Sequence, residues 1–179
     1  MASVISVARD QVHQFSKAVV DRIEIVENLG VEGDAHAGVT VQHRSRVAVD
    51  PNQPNLRQVH LIERELLDEL AGEGFELQPG DLGENILTEG ISLLELPTDT
   101  ILKIGPDVRL KVTGLRNPCA QIENFRTGLL KKVVYTGKDG NIVRKAGVMT
   151  IVLSGGRVQP GDQIAADLPP LPHRPLERV

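Results

Sequence analysis

The stretch TILKIGPDVRLKVTGL, residues 100–115, sets the fold class. Two short runs, TILKIG at 100–105 and VRLKVTGL at 108–115, meet at the turn Gly105-Pro106-Asp107, which predicts two strands joined as a hairpin. Outward from this point the same pattern recurs. VISVA at 4–8, AVVDRIEIVE at 18–27, RVAV at 46–49, KKVVYT at 131–136 and GVMTIVL at 147–153 are further β-like runs rich in Val and Ile. The turns between them carry their own chemistry. Gln78-Pro79-Gly80-Asp81 and Gln159-Pro160-Gly161-Asp162 both place proline and glycine where a type II turn requires them, and GKDGN at 137–141 supplies glycines for another hairpin.

One segment departs from the pattern. In NLRQVHLIERELLDELAGEG, residues 55–74, Val59, Ile62, Leu66 and Leu70 follow helical spacing and predict one amphipathic helix. Asn55 with Gln58 three positions on reads as a capping box, Gly72 and Gly74 as the stop, and His60 falls on the polar side. The strands do not alternate with helices, which disfavours a Rossmann fold. The expectation is therefore a mostly β fold with one or more packed helices, its short strands antiparallel and closed into a barrel. A single domain over residues 1–168 is followed by the proline-rich tail PPLPHRPLERV, 169–179, expected to be extended or mobile.

Composition narrows the function. Hydrophobic residues at 40% and charged residues at 25% fit a folded globular chain. The formal net charge of −4 and an aromatic content of 2%, with no Trp, argue against nucleic-acid binding, which needs clustered cations or stacking platforms. No apolar run approaches the roughly 18 residues of a membrane span. The N-terminus lacks the features of a secretory signal, and a single cysteine closes no internal disulfide, so the expected location is cytoplasmic.

That cysteine, Cys119, lies in GLRNPCAQ, residues 114–121. A lone cysteine is commonly a small buried hydrophobe. Here Pro118 fixes the backbone before it, and Arg116 is near enough in sequence to stabilise a thiolate, the form that attacks, binds soft metals or carries a persulfide. The second candidate is GVEGDAHAGVTVQHRSR, residues 30–46, whose glycines suggest backbone close to a bound group. His43, Arg44 and Arg46 gather positive charge there, and strand alternation would put both arginines on one face to hold a phosphate. His36, His43, His60 and Cys119 lack the close pairing of structural zinc ligands. Serine-hydrolase and nucleotide-binding fingerprints are absent, and Glu84 and Asn85 in GENI, 83–86, form a weaker candidate.

With GVEGDAHAG, HRSR, QPGDLGENI, GLRNPC and VQPGDQI in this order, the chain resembles the MOSC family, named for the C-terminal domain of molybdenum cofactor sulfurases. The resemblance runs from about residue 4 to 165 and implies a β-barrel-like fold. It implies that Cys119 ligates the molybdenum of a pterin cofactor or carries sulfur, with Arg44, Arg46 and Arg116 holding the pterin phosphate and His43 and Asn117 beside them. Pyridoxal phosphate, which serves the parent sulfurases from a separate domain, is not expected on this chain.

Three functions follow as expectations. The first is a molybdenum-pterin-dependent oxidoreductase that reduces N-hydroxylated small molecules, its electrons arriving from a separate electron-donor protein. The second is a sulfur carrier that receives a persulfide on Cys119 from a cysteine desulfurase. The third is a noncatalytic anion-binding module.

Overall fold

Valine and isoleucine pack well on an extended backbone, and the runs rich in them account for most of thirteen strands. The computed structural model describes residues 1–179. In chain order the strands are β1 (Ser3–Arg9), β2 (Ala18–Val20), β3 (Ile23–Val26), β4 (Gly30–Val31), β5 (Val59–Glu63), β6 (Ile86–Glu89), β7 (Ile101–Ile104), β8 (Val108–Leu115), β9 (Val134–Thr136), β10 (Ile142–Arg144), β11 (Val148–Ser154), β12 (Gly156–Val158) and β13 (Ile164–Asp167). Four short helices interrupt them: α1 (Arg44–Val47), α2 (Arg64–Gly72), α3 (Ala120–Phe125) and α4 (Leu130–Val133). The fold is mostly β with few helices.

The hairpin at 100–115 forms as β7 and β8, in register from Ile101 opposite Lys111 to Ile104 opposite Val108. Strand β8 alternates strictly, with Val108, Leu110 and Val112 buried and the residues between them partly exposed. Both Gln-Pro-Gly-Asp turns are type II in their essentials. Gly80 and Gly161 have φ of 88° and 93°, and the Asp81 and Asp162 amides donate to the Gln78 and Gln159 carbonyls. Each aspartate also accepts from the amide of its glutamine, at 2.8 and 2.9 Å.

The large sheet has eight strands in the order β13-β7-β8-β11-β5-β6-β1-β2, beside a three-stranded sheet β12-β3-β4 and the hairpin β10-β9. It is open, which corrects the expected closed barrel. Strand β2 occupies the edge of β1 along Val7, Ala8 and Arg9, leaving Ser3 to meet Gln163 in one isolated bridge. The expected antiparallel arrangement also has an exception: β5 and β6 pair in parallel, joined by the crossover through α2.

Strand β5 corrects the predicted helix at 55–74. Only 64–72 is helical, whereas 59–63 is a strand buried on both faces. Leu61 enters a core of 18 buried residues and its neighbour Ile62 enters a second of 11, lined by α2, α3 and α4. A short run that is apolar on both faces carries no period that separates strand from helix. Asn55 caps nothing: its amide donates to the carbonyls of His36 and Gly38, and Gln58 accepts from the Val152 amide.

Other predicted strands are also revised. RVAV at 46–49 lies in α1 and the turn after it, where Val47 and Val49 are exposed and no partner strand is available. AVVDRIEIVE divides into β2 and β3 in different sheets, and KKVVYT begins in α4. The tail is extended and tied down. Glu177 accepts from the Leu115 amide at 2.7 Å, Val179 donates to the Leu115 carbonyl at 3.1 Å, and Arg174 accepts from the Thr98 amide at 2.9 Å.

Candidate functional site

The turn after β8 delivers Arg116, Asn117 and Cys119 to one wall of a cleft of about 740 Å³, and α1 delivers His43, Arg44 and Arg46 to another. All six sequence-predicted residues therefore share one cavity. The expected strand geometry of the two arginines is replaced by a helical turn, in which the His43 carbonyl accepts from the amides of Arg46 and Val47. The glycine-rich stretch has a different role from the one predicted. A Cβ on Gly30 would stand 2.7 Å from the Gln58 carbonyl oxygen, so the close approach there is between two segments of this chain.

Cys119 is half-buried and immediately precedes α3. Its Sγ makes one hydrogen bond, donating to Gln121 Oε1 at 3.6 Å, and its carbonyl accepts from the Ile122 amide at 3.0 Å. The sulfur is thus neither core nor disulfide. Arg116 donates to the Leu82 carbonyl at 2.7 Å, and its guanidinium lies 5.5 Å from the centre of the Phe15 ring. Burial lowers its pKa, opposed by the negative charge available at Cys119 and Glu84.

Several lining residues had no sequence signal. Arg57 and Arg178 join the cleft from the start of β5 and from the tail, bringing its cationic side chains to Lys17, Arg44, Arg46, Arg57, Arg116 and Arg178. No carboxylate lines it, in a chain that carries 24 acidic and 20 basic residues. Burial lowers the Arg57 pKa to about 10, aided by Arg46 and Arg116. Its Nε is buried without a partner, a donor turned toward no acceptor of the protein, while another of its nitrogens donates to the Val179 carbonyl.

Beneath the floor lies Asp34. Lys17 Nζ approaches its two oxygens at 3.0 and 3.2 Å, Asn85 Nδ2 donates at 3.0 Å, and the Asp10 and His36 amides donate at 3.3 and 2.9 Å. Burial would raise the Asp34 pKa, but the bonds from His36 and Lys17 together hold it below the carboxylate range. Asn85, a weaker candidate from sequence, also receives the His60 amide on Oδ1. Its neighbour Glu84 is buried, with one oxygen accepting from Gly80 and the other unpartnered, and burial raises its pKa.

The histidines fall into two settings. His60, expected on the polar side of a helix, is buried in β5 with Nε2 2.8 Å from the Ala146 carbonyl, and burial pushes its pKa well below the ordinary value. His13, His36 and His43 cluster, with ring centres 5.3 and 4.7 Å apart along the series. Burial, then the charges of His36, Arg57 and Arg116, lowers His43 to about 3. No three His, Cys, Asp or Glu side chains are grouped to hold a metal ion by themselves.

The model of the MOSC domain matches residues 34–165, from the buried Asp34 to the middle of β13. The chain belongs to the MOSC domain family. MOSC domains are associated with the molybdenum cofactor in general. Solved structures resemble this MOSC chain over nearly its full length. The YuaD protein from Bacillus subtilis is 21% identical, with a TM-score of 0.72 over 93% of this chain and 96% of that one. YiiM from Geobacillus stearothermophilus is 16% identical, with a TM-score of 0.66 over 93% and 75% of the two chains. YiiM from Escherichia coli is 17% identical, with a TM-score of 0.62 over 94% and 71%. These TM-scores establish a shared fold. No curated protein matches the sequence. No helix of this MOSC chain is long and apolar enough to cross a membrane.

Proposed function

We propose that the chain binds a molybdenum pterin cofactor in this cleft, with the Cys119 thiolate as metal ligand, and reduces N-hydroxylated small molecules. The observation that carries the reading is a half-exposed thiol opening onto a cleft with six cationic side chains and no carboxylate. A thiolate suits a soft, redox-active metal, and guanidiniums suit the phosphate of a pterin.

The residues present fit such a group. Arg57 offers a buried Nε without a partner, and Arg46 and Arg116 share its cavity. When bound, the cofactor would supply two-electron redox chemistry. The chain would hold the ligand by Cys119, neutralise its anionic end with Arg44, Arg46, Arg57 and Arg116, and leave His43 and Asn117 to meet substrate or pterin. Electrons would come from a separate electron-donor protein.

The test is molybdenum and released pterin per chain, on protein from a host that makes the cofactor, for the native chain and Cys119→Ala. Near-stoichiometric molybdenum that falls at least tenfold in the variant supports the reading. Its absence from the native chain overturns it.

The sulfur-carrier reading draws on one observation: the one hydrogen bond that Sγ makes is the long one to Gln121 Oε1 at 3.6 Å, which a terminal sulfur would displace at little cost. Intact mass after exposure to a cysteine desulfurase and cysteine separates the two, since a carrier gains one sulfur atom on Cys119 and holds no metal.

A further inference from the structure

We propose that His36, oriented by Asp34, donates the proton to the leaving hydroxyl oxygen when an N-hydroxylated substrate is reduced in the cleft. This role rests on the oxidoreductase reading above.

Asp34 acts as an acceptor at every contact it makes. Its oxygens take bonds from Lys17, Asn85 and the amides of Asp10 and His36, and its side chain is 1% exposed. His36 Nδ1 lies 3.3 Å from the same carboxylate, so the ring meets it with Nδ1–H. The other nitrogen, Nε2, makes no bond to the protein and is not among the buried atoms left without partners. With its side chain 20% exposed and lining the cleft, His36 presents Nε2 to whatever occupies the cavity.

The neighbouring groups are otherwise committed. His13 Nε2 pairs with the Gln42 carbonyl and His60 Nε2 with the Ala146 carbonyl. His43, with its ring centre 4.7 Å from that of His36, is held neutral by its burial and by the surrounding charges. Lys17 is consumed by Asp34 from behind, and the Asp10 carboxylate by the Val12 amide and Gln14. The five arginines of the cleft, Arg44, Arg46, Arg57, Arg116 and Arg178, do not release protons at neutral pH. His36 is therefore the cleft group with an anchored ring and a free outer nitrogen, and in its imidazolium form Nε2 carries the proton to be given.

The reaction balances as R–NH–OH plus two protons and two electrons, giving R–NH2 and water. The N–O bond breaks with its electron pair on oxygen, which takes the Nε2 proton and leaves as water. The nitrogen receives two electrons that originate from the separate electron-donor protein and its second proton from solvent. His36 is reprotonated from water in the cleft while Asp34 remains ionised.

The test compares the native chain with His36→Gln, both produced with cofactor, using phenylhydroxylamine as substrate and dithionite-reduced methyl viologen as donor. The expected result is unchanged molybdenum content and KM, a kcat lower by roughly 100-fold, and loss of one limb of the kcat–pH profile. Nitrogen-15 NMR of the cofactor-free native chain should show the neutral His36 ring protonated on Nδ1. Unchanged kcat with metal retained, an Nε2-protonated neutral ring, or a raised KM with the pH profile preserved would each overturn the proton-donor role alone. A native chain without molybdenum would overturn the cofactor reading and this role with it.

Discussion

Lys17 Nζ lies 3.0 Å from Asp34 Oδ2, with side chains 4% and 1% exposed. Burial lowers the Lys17 pKa despite this partner, so the ammonium depends on Asp34 to remain charged. The pair joins the segment leading into β2 to the loop after β4, and through His36 it underlies the cleft.

Asp34→Asn leaves the ammonium buried and unpaired. The expected cost is about 3–5 kcal/mol, or a fall of roughly 6–20 °C in Tm for a chain of this size, read by thermal denaturation at neutral pH. The pH dependence has a definite sign. The Asp34 pKa is lowered on folding, so its contribution is complete well above the unfolded value of 3.8 and disappears as pH falls toward the folded value.

His43 acts over a higher window. Its pKa falls from 6.5 to about 3 on folding, so the unfolded chain binds the extra proton between these values and stability declines as pH drops from 6.5 toward 3. His43→Gln should flatten that part of the curve, measured as the denaturant midpoint against pH. An unchanged slope would mean that His43 titrates freely in the folded chain.

The two Gln-Pro-Gly-Asp turns provide an internal control. A Cβ at Gly161 meets nothing within 4 Å, whereas one at Gly80 would stand 2.2 Å from the Lys17 carbonyl oxygen. Gly161→Ala should cost about 1–2 kcal/mol, the backbone penalty of positive φ. Gly80→Ala should cost clearly more and displace Lys17. Urea denaturation of both variants checks the difference.

Arg57 should be felt in anion binding. Pyrophosphate, titrated calorimetrically at fixed ionic strength, should bind Arg57→Met about tenfold more weakly than the native chain, as expected for one lost charge-assisted bond of about 1.5 kcal/mol. Arg57→Lys should recover only part of this, because an ammonium lacks the planar fork.

Cys119 contributes little to folding. Its side chain caps no helix amide and is half-exposed, so Cys119→Ser should change stability by less than about 0.5 kcal/mol. A much larger loss would place the sulfur in the packing.

Local chemistry explains what the sequence disclosed. The type II turns, the hairpin at 100–115 and the thiol beside Arg116 are each written within a few adjacent residues. The strand at 59–63 was concealed because Leu61 and Ile62 are buried on opposite faces, which removes the alternation that marks a half-buried strand. Barrel closure was unreadable for another reason: it depends on which segment wins the edge of β1, and β2 takes its last three residues, Val7 to Arg9. The polar floor was the least accessible, because Lys17, Asp34 and Asn85 are separated by 17 and 51 positions. Arg178, at the far end of the tail, joins the cleft only because the tail runs back along Leu115.

The carboxylate-free lining makes the molecule an electrical dipole whose net sign opposes its positive pole. Beyond the Debye length of roughly 8 Å at physiological salt, an approaching anion senses little of either sign; inside it, the mouth dominates. Raising salt should therefore act mainly on how long an anion stays, through a faster off-rate, and only weakly on how often it arrives. Discrimination then takes place at the entrance, where an acidic protein surface too broad to enter meets the negative body of the chain.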